Sequence, residues 1–100
     1  MMKINVQSVN FNADASLIDF IEKKLNSLDK YYDKIVDTEV FLKVQQTSDK
    51  ENKFVDIKLN IPGNELVVKK QSKTFEEGVM LAVDSLKIKL TKEKEKIRVK

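Results

Sequence analysis

The sequence predicts an α+β fold, a two-layer sandwich in which two helices cover one face of a four-stranded mixed sheet. Three observations predict it. Four segments alternate apolar and polar residues, as half-buried strands do, and two longer segments place apolar residues three and four positions apart, as amphipathic helices do. Their order along the 100 residues is β-α-β-β-β-α. Each element has one apolar face to bury, which two layers in a single domain of residues 1–100 achieve.

The first strand and the first helix are predicted over residues 3–9 and 14–30. Ile4 and Val6 share one face of the strand, and Asp14 is a suitable N-cap for the helix. We expect the helix to cross between two parallel strands, strands one and two. Its apolar stripe consists of Leu17, Ile18, Ile21, Leu25, Leu28 and Tyr32.

Three more strands are predicted over residues 38–46, 54–61 and 65–71, each with apolar residues on one face. A polar loop at 47–52 separates the first two. A proline–glycine pair at 62–63 predicts a tight turn between the last two, because proline presets φ and glycine tolerates a positive φ. Strands that follow one another so closely favour an antiparallel meander.

The second helix is predicted to begin after Thr74, which forms a capping box with Glu77. Gly78 lies inside this helix at a cost of about 1 kcal/mol relative to alanine, so we expect close packing there. The apolar stripe nearly stops between Leu90 and Ile97, which predicts that the last turns project past the core. Its members are Phe75, Val79, Ala82, Val83, Leu86 and Leu90.

The composition excludes several function classes. The chain has no cysteine and no histidine, which removes disulfides, thiolate metal sites and the commonest general base. No nucleophile–base set or glycine-rich phosphate loop is present, so we expect neither an enzyme nor a cofactor. No apolar run is long enough for a signal peptide or a membrane span, which predicts a cytoplasmic protein without a membrane partner.

Positive charge is concentrated in the second helix. Residues 87–100 carry a net charge of +5, whereas the rest of the chain carries −2, and this asymmetry indicates a polyanionic partner. At 100° per residue the side chains form two rows beside the apolar stripe. Charge alone leaves two interpretations open: these lysines bind phosphate, or they belong to a helix end that is simply solvated. The first basic row is Lys87, Lys94 and Arg98, and the second basic row is Lys89, Lys92 and Lys96.

Lys24 is the candidate RNA contact in the first helix. Most lysines there, including Lys23, have acidic neighbours that favour ion pairs with solvent-exposed partners. Lys24 lies at the edge of the apolar stripe instead, and a groove between the helices would join it to the second helix. Tyr31 could stack on a base, although packing is the favoured interpretation.

The sheet face away from the helices would carry aromatic and charged side chains. This combination occurs in sheets that bind single-stranded RNA, but the glycine-aromatic signature of such modules is absent. The same side chains are equally compatible with a contact to another protein. The residues are Phe41, Lys43, Phe54, Asp56 and Lys58.

Three segments follow one another in a distinctive order: 20–35 (FIEKKLNSLDKYYDKI), 40–44 (VFLKV) and 84–96 (DSLKIKLTKEKEK). Together they resemble a known family, the ribosome hibernation promoting factors, also called ribosome-associated inhibitor proteins, and the resemblance extends from residue 2 to about 97. It implies a β-α-β-β-β-α fold and a translation inhibitor that occupies the mRNA and tRNA channel of the small ribosomal subunit. The implied rRNA contacts are Lys24, Lys87, Lys89, Lys92, Lys94 and Lys96, with Lys23 and Arg98 as further candidates.

The resemblance also sets expectations about partners. The family's long members add a dimerising domain, so this chain resembles the short form and is expected to be monomeric off the ribosome, with no small-molecule substrate. Glu76 and Glu77 depart from the family pattern, and their carboxylates would repel phosphate from that first turn. Two alternatives remain: a general double-stranded-RNA module, and a protein-binding regulator that uses the open sheet face.

Overall fold

The computed structural model describes residues 3–9, 11–45 and 50–98, with the side chains of 97 and 98 outside the described part. The predicted order β-α-β-β-β-α is confirmed. The elements are β1 (Lys3–Val9), α1 (Ala15–Asn26), β2 (Asp37–Val44), β3 (Lys53–Ile61), β4 (Asn64–Ser72) and α2 (Phe75–Arg98).

The four strands form one mixed sheet in the order β1-β2-β3-β4. β1 pairs with β2 in parallel, and β2–β3 and β3–β4 are antiparallel, which confirms the predicted crossover between parallel strands and the meander. One row of cross-strand partners runs across all four strands and consists of Val6, Val40, Ile57 and Val68. Because side chains alternate along each strand, this row and its neighbours give the sheet one apolar face.

Both helices pack on that apolar face, and the core lies between the two layers. Ile21 and Leu25 of α1 and Val79 and Leu86 of α2 are fully buried against the strands. The opposite sheet face has no helix in the described part of the chain. Among the described residues, no helix combines the length and the apolar surface that a membrane crossing needs.

Both predicted helix caps are present. The Asp14 carboxylate accepts a hydrogen bond from the Leu17 N–H at 2.8 Å. The Thr74 hydroxyl accepts one from the Glu77 N–H at 3.1 Å. Each cap satisfies a backbone donor that has no partner inside its helix, which explains where α1 and α2 begin.

The predicted end of the first helix is corrected by the structure. α1 ends at Asn26, and the chain continues as a 3₁₀ turn over Ser27–Lys30. The Ser27 hydroxyl donates to the Lys24 carbonyl at 2.6 Å, and this local bond competes with regular helix geometry. After this turn Tyr32 is buried in the core, whereas Tyr31 is 40% exposed.

Several strand boundaries differ from prediction by one or two residues. The largest difference is at the end of β2, which stops at Val44 instead of residue 46, although the Gln45 N–H still donates to the Asn52 carbonyl at 3.0 Å. Residues 46–49, which include part of the predicted loop, lie outside the described residues. The predicted turn is confirmed, and Gly63 adopts a φ of 77° that favours glycine.

Gly78 of α2 lies directly over the sheet, as its position inside a helix predicts. A Cβ atom added there would lie 2.8 Å from Val55 Cγ2 on β3. A side chain at this position would therefore push α2 away from the sheet. The glycine therefore permits the short distance between α2 and the sheet.

Candidate nucleic-acid interface

A groove of about 610 Å³ runs between α1 and α2 on the surface of the helical layer. Its base is apolar and includes the buried side chain of Val83, and its rims carry lysines from both helices. The predicted groove that joins Lys24 to the second helix is therefore present. The lining residues are Phe20, Lys23, Lys24, Ser27, Met80, Val83, Asp84 and Lys87.

Two lysines in this part of the molecule lie over aromatic rings. The Lys24 ammonium is 5.6 Å from the centre of the Phe20 ring, one turn earlier in α1. The Lys87 ammonium is 5.3 Å from the centre of the Tyr31 ring. Both distances are in the range of cation–π attraction. Both lysines are half-buried, so contact with the neighbouring side chains restricts where their ammonium groups can lie.

The carboxylates nearby neutralise little of this charge. Asp84 approaches Lys87 at 3.9 Å, and its side chain is 71% exposed. Lys23 pairs with Asp19 at 3.1 Å, but both side chains are more than half exposed. Exposed pairs of this kind are worth about 0–1 kcal/mol and are screened by salt, so the groove keeps a net positive charge.

Lys94 extends the positive surface beyond the groove. It lines a hollow of about 440 Å³ with residues 29–34, at the end of α1. A second, smaller hollow places it beside Tyr31, Thr91 and Glu95. The first basic row of α2 thus faces α1 and its 3₁₀ turn, and Tyr31 lies between its two described lysines. The side chain of Arg98, the third member of that row, is outside the described part.

The second basic row lies on the opposite flank of α2, away from the groove. Its lysines, Lys89, Lys92 and Lys96, are all exposed. Lys96 approaches Glu93 at 3.6 Å, and Glu93 accepts a hydrogen bond from the Asn64 side chain at 2.9 Å. This bond links the C-terminal part of α2 to the turn between β3 and β4.

The apolar stripe of α2 ends at Leu90, as predicted. No side chain from 91 to 96 is buried. Residues 92–96 of these turns are all charged, so this part of α2 is a charged surface beyond the core. Glu76 and Glu77 are exposed at the other end of α2, in its first turn. The positive surface of α2 is therefore confined to its second half.

Some contributors to the site were missed from the sequence. The Tyr31 ring lies beneath the Lys87 ammonium, a contact that neither base stacking nor simple packing, the two interpretations from sequence, had specified. No local pattern indicates this contact, because the two residues are 56 positions apart. Phe20 beneath Lys24 could have been recognised from its spacing, since residues i and i+4 are neighbours on a helix. Within the described ranges, no three carboxylates converge to form a metal site.

The comparisons with known proteins agree with this architecture. The family model described as "Sigma 54 modulation protein / S30EA ribosomal protein" matches residues 4–98. The chain belongs to this family. The resemblance predicted from the three sequence segments is thereby confirmed, since relatives of the chain carry the name ribosome hibernation promoting factor.

Two such relatives illustrate the range of lengths. The ribosome hibernation promoting factor of Pseudomonas putida is 28% identical over 95 residues, covering 95% of this chain and 89% of that protein. The ribosome hibernation promotion factor of Bacillus subtilis is 27% identical over 101 residues. That alignment covers 99% of this chain but 52% of the relative, so the chain matches about half of the longer protein.

Two solved structures share the fold at 23% sequence identity. A ribosomal subunit interface protein from Coxiella burnetii has a TM-score of 0.82, covering 95% of this chain and 99% of that chain. The N-terminal domain of Protein Y from Thermus thermophilus has a TM-score of 0.79, covering 92% and 98%. Their similarity confirms the arrangement of the sheet and the two helices.

Proposed function

We propose that this chain binds the small ribosomal subunit through its rRNA and inhibits translation during stasis by occupying the channel for mRNA and tRNA. Family membership and the names of its relatives support ribosome hibernation as the process. The observation that carries the proposal is the groove in which Lys24 and Lys87 lie over aromatic rings, with Lys94 continuing the row.

The groove suits phosphate because its cations are already held in position. A free lysine loses rotamer freedom when it binds, whereas Lys24 and Lys87 have lost part of that freedom on folding. The second basic row offers a further set of cations on the other flank of the same helix. An RNA channel surrounds its occupant, so rows on two sides can meet phosphates of two RNA segments.

The test is co-sedimentation with purified small subunits at increasing salt. If Lys24, Lys87 and Lys94 and the second basic row each neutralise one phosphate, six contacts form. Six contacts predict a roughly thousandfold loss of affinity between about 50 and 200 mM salt. A chain that stays at the top of the gradient at low salt would refute ribosome binding.

A charge-reversal pair tests the groove itself. K24E/K87E should abolish pelleting with the subunit. The matched control is K3E/K73E, which changes the net charge by the same amount at two exposed lysines with no ion pair in the described structure. Equal loss in both variants would mean that only total charge matters, and the groove would have no special role.

Occupancy of the channel has its own test. Subunits already carrying mRNA and tRNA should exclude the chain, because the two ligands would overlap. Equal pelleting with loaded and empty subunits would place the binding site elsewhere on the ribosome. Equal affinity for a free RNA hairpin would instead favour a general double-stranded-RNA module.

A further inference from the structure

The sheet face opposite the helices carries a second candidate site. Phe41 on β2 and Phe54 on β3 lie on the two central strands, in a shallow hollow of about 610 Å³. Phe41 is 36% exposed, a large fraction for an aromatic ring. The hollow, here called the open-face patch, is lined by Val9, Phe41, Lys43, Gln45, Phe54, Asp56, Lys69, Lys70 and Gln71.

The strand register places the two rings beside each other. Phe41 is opposite Asp56, and Phe54 is opposite Lys43, so the two phenylalanines are diagonal neighbours on adjacent strands. Diagonal neighbours on one sheet face are about 7–8 Å apart, within reach of a single short ligand. Two flat rings at this separation on central strands can each receive a nucleic-acid base.

Charge divides the open face into two ends. At the end near the β3–β4 turn, Lys58 is paired with Glu39 at 3.9 Å and Glu65 at 3.3 Å. At the other end, Lys43 and Lys69 are on the same sheet face as the phenylalanines and have no carboxylate within 4.0 Å among the described residues. Lys70 also lines the edge of the patch, but it is opposite the buried Val55 and therefore belongs to the helix-covered face. Asp56 is the one carboxylate in the patch lining. It is opposite Lys69 in the strand register, so the two patch lysines of this face exceed it by one charge and the phenylalanines lie at the end with a net positive charge.

We propose that the open-face patch binds single-stranded RNA, with bases stacked on Phe41 and Phe54 and phosphates held by Lys43 and Lys69. Exposed rings beside unpaired cations are the combination by which single strands are bound without sequence preference. An apolar protein partner would desolvate the two patch lysines of this face. The inference goes beyond the proposed function, because it concerns the other face of the molecule and does not depend on the groove.

The test uses an introduced tryptophan. The chain has no tryptophan, so F41W creates a single indole inside the patch. A base that stacks on this indole quenches its fluorescence, whereas RNA bound between the helices leaves it unchanged. Titration with a twelve-residue oligouridylate at low salt should therefore give saturable quenching.

Further variants in the F41W background identify the second ring. F54A should weaken the affinity about tenfold, since one stacked base is worth about 1–3 kcal/mol. F54Y keeps an aromatic ring and should restore the affinity. The matched control is V67A, which removes another exposed apolar side chain of the same face outside the patch and should change nothing.

Three results would overturn the inference. One is the absence of saturable quenching at any RNA concentration. Another is quenching that F54A leaves unchanged and K24E/K87E abolishes, because the RNA would then bind on the helical layer. The third is self-association that F41A abolishes, without any response to RNA, which would assign the patch to a protein contact instead. Ribosome pelleting is measured separately, so either proposal can fail while the other stands.

Discussion

Replacing Gly78 with alanine tests how closely α2 packs on the sheet. By helix propensity alone, G78A should stabilise the protein by about 1 kcal/mol. However, the new Cβ would lie 2.8 Å from Val55 Cγ2, where unstrained carbon atoms are about 3.5–4.0 Å apart. Val55 is fully buried and β-branched, so it cannot rotate away cheaply.

The magnitude follows from these two opposed effects. Overpacking in a filled core costs about 1–3 kcal/mol. After the gain in propensity, we expect G78A to lower the free energy of unfolding by about 1 kcal/mol. Urea unfolding followed by circular dichroism measures this change.

A double-mutant cycle with V55A isolates the contact. V55A removes the methyl group that the new Cβ would meet, so G78A should cost nothing, or should stabilise the protein, in that background. We expect a coupling of about 1 kcal/mol between the two sites, in the range observed for residues in contact. Additive effects, or a single G78A variant more stable than the original, would refute the packing argument.

Three further predictions concern the groove and the core. D84N removes the carboxylate 3.9 Å from Lys87 and should strengthen low-salt binding to small subunits in a pelleting assay; unchanged affinity would exclude a phosphate near Lys87. Y31L removes the ring beneath Lys87 and should weaken that binding about two- to fivefold, whereas Y31F should not, since an exposed cation–π pair is worth about 0.5–1 kcal/mol. Ser72 is fully buried, and its hydroxyl has no hydrogen-bond partner among the described residues. S72A should therefore raise the free energy of unfolding by about 1 kcal/mol in urea, and a decrease would indicate a partner for that hydroxyl.

The boundaries of the elements show where sequence patterns are sufficient. Asp14 and Thr74 mark helix starts to within one residue, because a cap acts on backbone groups only two or three positions away. The end of α1 was less predictable. The apolar stripe continues to Tyr32 whether the backbone is an α-helix or a 3₁₀ turn, so the stripe could not locate the change, which occurs at Ser27.

Some features of the candidate site could likewise be predicted from the sequence, and others could not. Lys24 was recognised from its position at the edge of an apolar stripe, which is a property of one helix. The sequence could not show which of the two basic rows faces α1. The two rows flank the apolar stripe symmetrically, so they are equivalent until a neighbouring helix covers one of them. The packing of α1 against α2 places Lys87 and Lys94 near Tyr31 and leaves the second row in solvent.

The sequence by itself determined the element order, the apolar faces and the lysine-rich half of α2, since these depend on spacings of two to four residues. Only the tertiary structure decided which lysines meet aromatic rings and which phenylalanines become neighbours. Lys87 and Tyr31 are 56 positions apart, and Phe41 and Phe54 are on different strands. Contacts of that kind arise from helix packing and strand register, and the packing of the whole core sets both.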